Sequence, residues 1–485
     1  MFLVLALALL WLHLLRLRFA VLGQDEGILL AYPDLILRGS IPNRDFATLY
    51  PPGAFWSVAS AFRLFGETLE VERAVGLLFQ VSILAAVVQI ARQYGTLACL
   101  IAGLGVCTGV ALFVPGAYSV LGGIACGFWA IAFAESGFGK SGTARIFGCG
   151  VLTGLAFLFR QDVGLAAIAG VAPYLLRHRT WSAARAYGAG LGAGLLPLLA
   201  HLVQAGVGPV FENLVLDVIR NAPGRALPVQ ADALYPILIP QLAILLCAAL
   251  LAVRKKGGAL PLALTLFSLC FLPSILQRVD AWHVGYGAIV LLPCAAIMLA
   301  NVMPGAMPGR LQLLMIPVAA LGWVYLLHAR PLWFILPTAE TMFGHTIGRF
   351  EGEPVSIGKR SVLVARDDHR ELRAVAGALA ELPPGARLFV GPGDLSRTTG
   401  NEPMLYFLTP HFRTPYYVEM NPGVADRPGS RLAHDVASAD HLLLKNGGAS
   451  GSAGSPVPNL LVRKHFCPSQ TLGRYRLLRR CKPAS

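Results

Sequence analysis

Apolar residues run in blocks along this chain, and polar residues are confined to the gaps between the blocks. A membrane-crossing helix needs about 20 mostly apolar residues. Runs of this kind cover 1–22, 74–91, 96–114, 117–135, 144–159, 163–177, 186–204, 236–253, 258–277, 284–303 and 311–328. They predict a polytopic α-helical membrane protein of about 11 transmembrane helices. The runs 144–159 and 163–177 fall short of a full crossing, which predicts a tilted or partly re-entrant hairpin with Arg160, Gln161 and Asp162 at its polar tip. Met1–Leu15 has neither a basic leader nor a small-residue cleavage site before Asp25, so it reads as a retained first span.

The widest early gap is the loop 23–73, and its first part, Gln24–Gly53, is a polar island between apolar runs. Asp25 and Glu26 open it where the first span ends; Arg44, Asp45, Tyr50 and the turn Pro51-Pro52-Gly53 follow. A carboxylate at a membrane surface is costly unless it is used. Ile28–Leu37, interrupted by Pro33 and Asp34, and Ala54–Phe65 read as short helices lying in the membrane interface, as does Val210–Ile219 in the gap 205–235.

Beyond about residue 330 the apolar density falls. The chain therefore divides into a membrane part, 1–330, and a small C-terminal α/β domain, 331–485. Within that domain Ser361–Ala365, Arg387–Gly391, Tyr416–Met420, His441–Leu444 and Tyr475–Arg479 predict strands, and 367–382 and 431–439 predict helices. Gly447–Ser455 reads as a flexible loop. No Gly-rich loop that follows a strand and opens a helix is evident, which argues against a nucleotide site there.

Charge adds orientation. Only 14% of residues are charged and mean hydropathy is +0.61, which excludes an ordinary soluble domain. The net charge of +14 would suggest nucleic acid in a soluble chain, but no basic, aromatic-interleaved platform accompanies it. Arg92, Lys140, Arg145, Arg177, Arg179, Arg185, Arg254, Lys255, Lys256 and Arg310 instead fall in gaps on one side, which the positive-inside rule makes cytoplasmic. The N-terminus is then cytoplasmic, while the loop 23–73, the tip 160–162, the gaps 205–235 and 278–283, and the C-terminal domain are extracytoplasmic. Arg16 and Arg18 run against this rule and are outweighed. Seven cysteines sit in apolar runs as small hydrophobes; Cys467 and Cys481, in the tail, have the option of a disulfide if the tail is extracytoplasmic.

Polar residues at span ends thus gather on the outer face: Asp25 and Glu26; Arg44, Asp45 and Tyr50; Arg160 and Asp162; Arg278, Asp280 and His283. Sugar transfer from a phosphate-linked donor needs a carboxylate to take the acceptor proton and cations to stabilise the departing phosphate. Asp25 or Glu26 fits the base. Arg160, Arg278 and Arg44 fit the clamp, because guanidinium pairs bidentately with phosphate oxygens. His283 fits substrate binding. Each has a plainer reading: the acidic pair as a helix cap, Arg44/Asp45, Arg160/Asp162 and Arg278/Asp280 as local ion pairs, and His283 as a satisfied helix-start residue. Asp25, Glu26 and Asp45 also have the chemistry to hold a divalent metal, which a monophosphate donor does not require; no cofactor is otherwise implied.

The acidic pair after the first span, the stretch Gly39–Phe46 and then Tyr50-Pro51-Pro52-Gly53 resemble the first external loop of GT-C superfamily membrane glycosyltransferases. The likeness is to the branch of protein O-mannosyltransferases and lipid A aminoarabinose transferases, and within it to glycosyltransferase 39-like, RgtA/B/C/D-like proteins. Phe159–Gly164 and Gln277–His283 resemble motifs of the same group. The resemblance implies an inverting transferase that moves a sugar from a polyprenyl-phosphate donor to a glycan, lipid or protein acceptor on the extracytoplasmic face of the cell membrane, with Asp25 as base. Related transferases often carry Lys where this chain has Tyr50, which shifts phosphate binding toward Arg160 and Arg278. Two other classes compete. A transporter or lipid flippase would place polar residues at mid-membrane and show inverted repeats; an envelope scaffold would not need the clustered charges.

Overall fold

The computed structural model describes residues 2–14, 17, 24–111, 115–138, 142–225, 231–253, 258–277, 281–302, 352–398, 400–447 and 453–481. Helices occupy ten of the eleven apolar runs; the run 311–328 lies outside the described residues. Five helices among the described residues are long and apolar enough to cross a membrane: Leu69–Tyr94, Ser119–Gly137, Trp181–Ala205, Ala259–Leu276 and His283–Val302. The architecture is a polytopic helical membrane protein with a small C-terminal sheet domain.

The chain forms two compact units. One comprises Met1–Leu17, Ala74–Ala200 and Leu227–Arg349; the other comprises Arg18–Arg73, His201–Ala226 and Phe350–Ser485. In the first, Thr96–Ala111 packs on Ala281–Val302, Ser119–Gly137 on Thr143–Phe159, and Gln161–His178 on Ala259–Leu276. Gly150 and Gly154 of Thr143–Phe159 face Gly190 and Gly194 of Trp181–Ala205 so closely that a Cβ at any of them would strike the opposing backbone. Such small-residue spacing lets helices approach where lipid supplies no hydrophobic drive.

The second unit starts with α1, defined here as Gln24–Leu37, and α2, Gly53–Phe65. Helix α1 runs unbroken through Pro33, starts earlier than the expected 28–37, and contains Asp25 and Glu26 in its first turn. Glu26 through Leu35 are all buried, against α2 and the tail helix Met404–Leu408. This corrects the expectation of a surface-lying helix. An apolar sequence without a polar face is stable only when it is covered on every side.

A different segment has the amphipathic form. From Val207 to Arg225 the chain is helical, with a π-turn at Glu212–Leu216. Val203, Val207, Phe211, Val215 and Ile219 are outward-facing, while Val210, Asn213, Asp217 and Asn221 are buried. The usual arrangement is inverted, with an apolar outer face and a polar inner one. A spacing of four drifts around a helix of 3.6 residues per turn, and the wider π-turn offsets that drift.

The tail contributes a hairpin, β1 (Gly352–Ile357) with β2 (Arg360–Ala365), and a four-stranded sheet of β3 (Leu388–Pro392), β4 (His441–Lys445), β5 (Phe466–Leu472) and β6 (Tyr475–Arg480). The sheet order is β3-β4-β6-β5, with β3 and β4 parallel and the other pairs antiparallel. Its core of Phe389, Leu395, Met420, Leu432, Val436, Leu442 and Leu478 also takes in Ala47 from the first loop. Four expected strands and the helices near 367–382 and 431–439 are present. Tyr416–Met420 is not a strand. Its backbone bonds to Ala47 N and to Asn401 Nδ2 rather than to a ladder, which an alternating pattern cannot reveal. The helix Val457–His465 was not expected; with it, Gly447–Ser455 does lie between a strand and a helix, although 448–452 fall outside the described residues.

Cys467 and Cys481 form a disulfide between β5 and the end of β6. In the chain-entropy account a loop of about 15 residues is worth roughly 3 kcal/mol. The double Cys467→Ser, Cys481→Ser protein is therefore expected to melt below its parent, and the parent to show the same loss when a reductant is added during detergent melting.

Candidate active site

The acidic pair splits in the fold. Asp25 is exposed and has no side-chain partner among the described residues. Glu26, one residue on, faces inward and forms an ion pair with the fully buried Arg73 at the start of the helix Leu69–Ala91 (α3). Glu72 lies on the other side of that guanidinium, Oε2 3.7 Å from Nε. Two consecutive positions on a helix are rotated by about 100°, so one side chain can meet the interior while its neighbour faces out. Both carboxylates sit in the first turn of α1, where the helix dipole favours negative charge.

Tail residues complete the surroundings of α1. Gln24 Nε2 lies 3.4 Å from Glu419 Oε1 and 3.4 Å from Asn421 Oδ1. The Tyr32 hydroxyl donates toward Ala47 O at 2.8 Å and lies 3.2 Å from Glu419 Oε2. Burial, with the Glu419 carboxylate adding to it, pushes the Tyr32 phenol well above its ordinary pKa. Asp34, buried in the last turn of the helix, is held by Arg38 and by Arg360 of the tail, at 2.6 Å from the latter. Arg360 also pairs with Glu67 and caps the ring of Phe407 at 4.6 Å. None of Asp34, Arg360, Glu419 or Arg73 was singled out from sequence.

In the loop that follows, Arg44 and Asp45 pair with each other at 2.9 Å on the surface, and Asp45 Oδ2 accepts from Ile41 N at 2.8 Å. The Arg44 hydrogen bond is the main reason the Asp45 carboxyl lies below its usual range. Asn43, at φ 65°, is the hinge of this turn; its amide reaches Thr48 O at 2.9 Å and its oxygen meets His201 Nε2 at 2.9 Å. Asn213 links Asn43, Asp217 and the Tyr416 hydroxyl, so the polar inner face of 207–225 joins this loop to the tail. Tyr50 is half-buried, its amide donating to Thr48 Oγ1 at 3.2 Å, and Pro52 caps the start of α2.

The remaining expected residues belong to the membrane unit. Arg160 is the extended residue between Thr143–Phe159 and Gln161–His178. Its Nε lies 2.9 Å from Asp162 Oδ1; Asp162 also accepts from Val163 N and from Ser274. His283 is buried in the first turn of its helix, edge-on to Tyr286 at 6.0 Å, and Tyr286 in turn faces Tyr118. Arg278 and Asp280 lie outside the described residues. Among the described residues no group of three or more His, Cys, Asp or Glu is placed to hold a metal ion. The fold thus brings Asp25, Glu26, Arg44, Asp45 and Tyr50 into one unit, and Arg160, Asp162 and His283 into the other.

The described residues combine a helical membrane bundle, a carboxylate-bearing first loop and a C-terminal sheet domain. Residues 50–203 match the family described as dolichyl-phosphate-mannose-protein mannosyltransferase. The fold is similar to that of ArnT from Cupriavidus metallidurans bound to undecaprenyl phosphate, with a TM-score of 0.59, 14% identity, and coverage of 98% of this chain and 97% of that one. The apo form of the same ArnT matches with a TM-score of 0.56, also at 14% identity, covering 98% of this chain and 96% of that one. No curated protein matches this chain in sequence. The match over residues 50–203 and the fold shared with ArnT support the resemblance to GT-C membrane glycosyltransferases.

Proposed function

We propose that this protein transfers a sugar from a polyprenyl-phosphate donor to a glycan, lipid or protein acceptor on the extracytoplasmic face of the cell membrane. The observation that carries the reading is the division of labour at the start of α1: Glu26 is committed to Arg73, and Asp25 is open. Asp25 is the general base. It takes the proton of the acceptor hydroxyl as that oxygen bonds to the anomeric carbon, and the phosphate leaves from the opposite side with the electron pair of the broken C–O bond, inverting the centre. Arg160 and Arg278 stabilise the leaving phosphate, with Arg44 as a further cation. Asp45, Tyr50, Asp162, Asp280 and His283 are the residues assigned to substrate binding.

The polyprenyl-phosphate assignment is supported by the shared fold with ArnT, which crystallised with undecaprenyl phosphate. Two features favour the outer face: the Lys/Arg bias of the loops, and a tail disulfide that suits an oxidising compartment. The outward apolar stripe of 203–219 suits contact with membrane lipid. Comparing envelope glycans, lipids and glycoproteins of a deletion strain with its parent tests the reading. One sugar unit is expected to be missing and to return on complementation; an unchanged profile would sink the assignment.

A further inference from the structure

We propose that Glu419, supplied by the tail, is a positioning residue for transfer: it fixes the first turns of α1 and so sets where Asp25 presents its carboxylate. The inference rests on the assignment of Asp25 as base. Glu419 is buried, and its two oxygens face two residues of the same helix, Gln24 next to Asp25 and Tyr32 two turns further on. A carboxylate that engages donors on two turns restrains both the rotation and the axial slide of a helix.

The neighbours of Glu419 are anchored in the tail. Met420 lies in the sheet-domain core, Val418 O accepts from Asn401 at 2.7 Å, and Asn421 O accepts from Thr398 at 3.1 Å. On the helix side, Tyr32 is stacked on Phe46 at 4.6 Å and meets Phe55 edge-on at 5.0 Å. A short connection therefore runs from the tail core through Glu419 to the turn bearing Asp25. Glu26 and Arg73 hold the same turn from another side. Asp25 alone in that turn faces outward, and its place is set by neighbours that do no chemistry.

Hydrogen exchange of the full-length protein in detergent, combined with complementation of the deletion strain, tests this. In Glu419→Ala, amides of 25–32 are expected to exchange about tenfold faster, and transfer to fall by a similar factor, the scale of one charge-assisted hydrogen bond. Strands β3 and β4 should keep parent exchange rates. Glu419→Gln, which can accept from one partner and donate to the other, should recover most of both. Unchanged exchange in 25–32 with parent-level transfer overturns the proposal, as does loss of protection in β3 and β4 alongside α1, which would make Glu419 a folding residue. Absence of transfer by the parent chain would overturn the functional reading instead, while the exchange data would still decide whether Glu419 holds α1.

Discussion

Asp25→Asn is expected to eliminate detectable sugar transfer while leaving the protein folded and at parent abundance in the membrane. Asparagine has the same shape but cannot take a proton, and loss of a positioned general base costs about 10²–10⁴ in rate. Asp25 is exposed and makes no side-chain bond among the described residues, so stability should move by no more than about 0.5 kcal/mol, as is usual for surface substitutions. The check is complementation of the deletion strain, with the missing sugar unit measured by mass spectrometry and the protein quantified in the same membranes. Parent-level restoration by Asp25→Asn would remove this residue from the mechanism.

Arg73→Met should do the opposite, damaging the fold first. It removes the guanidinium that Glu26 pairs with in the interior, and breaking a buried pair from one side costs about 3–5 kcal/mol. The melting temperature in detergent should fall clearly. Adding Glu26→Gln to Arg73→Met should recover part of the loss, because one of the two buried carboxylates beside that guanidinium is then neutral. If Arg73→Met melts with its parent, the pair contributes nothing. Glu26→Gln alone should lower stability yet retain some transfer, which separates the roles of two adjacent carboxylates by two different readouts.

The helices of the membrane part were legible because a run of about 20 apolar residues has few alternatives, and helices occur in every run that is described. Strands β3, β4 and β6 were legible as short apolar runs, whereas β5 was not expected and Tyr416–Met420 is not a strand. The grouping of segments was not. Tyr32 and Glu419, Asp34 and Arg360, and Asn43 and Tyr416 meet across more than 300 residues, and no periodicity encodes such partners. Some signals were nevertheless present. Asp34 interrupts an apolar stretch, and a buried carboxylate has to find a cation. Glu72-Arg73 stands at the mouth of an apolar run, where an unpaired charge is costly. At the site itself, the exposed carboxylate was visible as one of two candidates, but its distinction from Glu26 needed the side of the helix that Arg73 occupies.

The contact of Tyr32 with Glu419 has a consequence in time. The two residues are 387 positions apart, so at about 5–20 residues per second the second is made roughly 20–80 seconds after the first. For that interval α1 lacks the partners that later cover it: its Asp34 has no Arg360, and its apolar faces have no Met404–Leu408 helix. Helix α1 must therefore wait, covered only in part, while the intervening helices are synthesised and inserted, until the segment bearing Arg360, Met404–Leu408 and Glu419 closes over it. A truncation ahead of Arg360 would on this account be felt at the N-terminal loop, as lingering exposure of α1 to quality-control proteases.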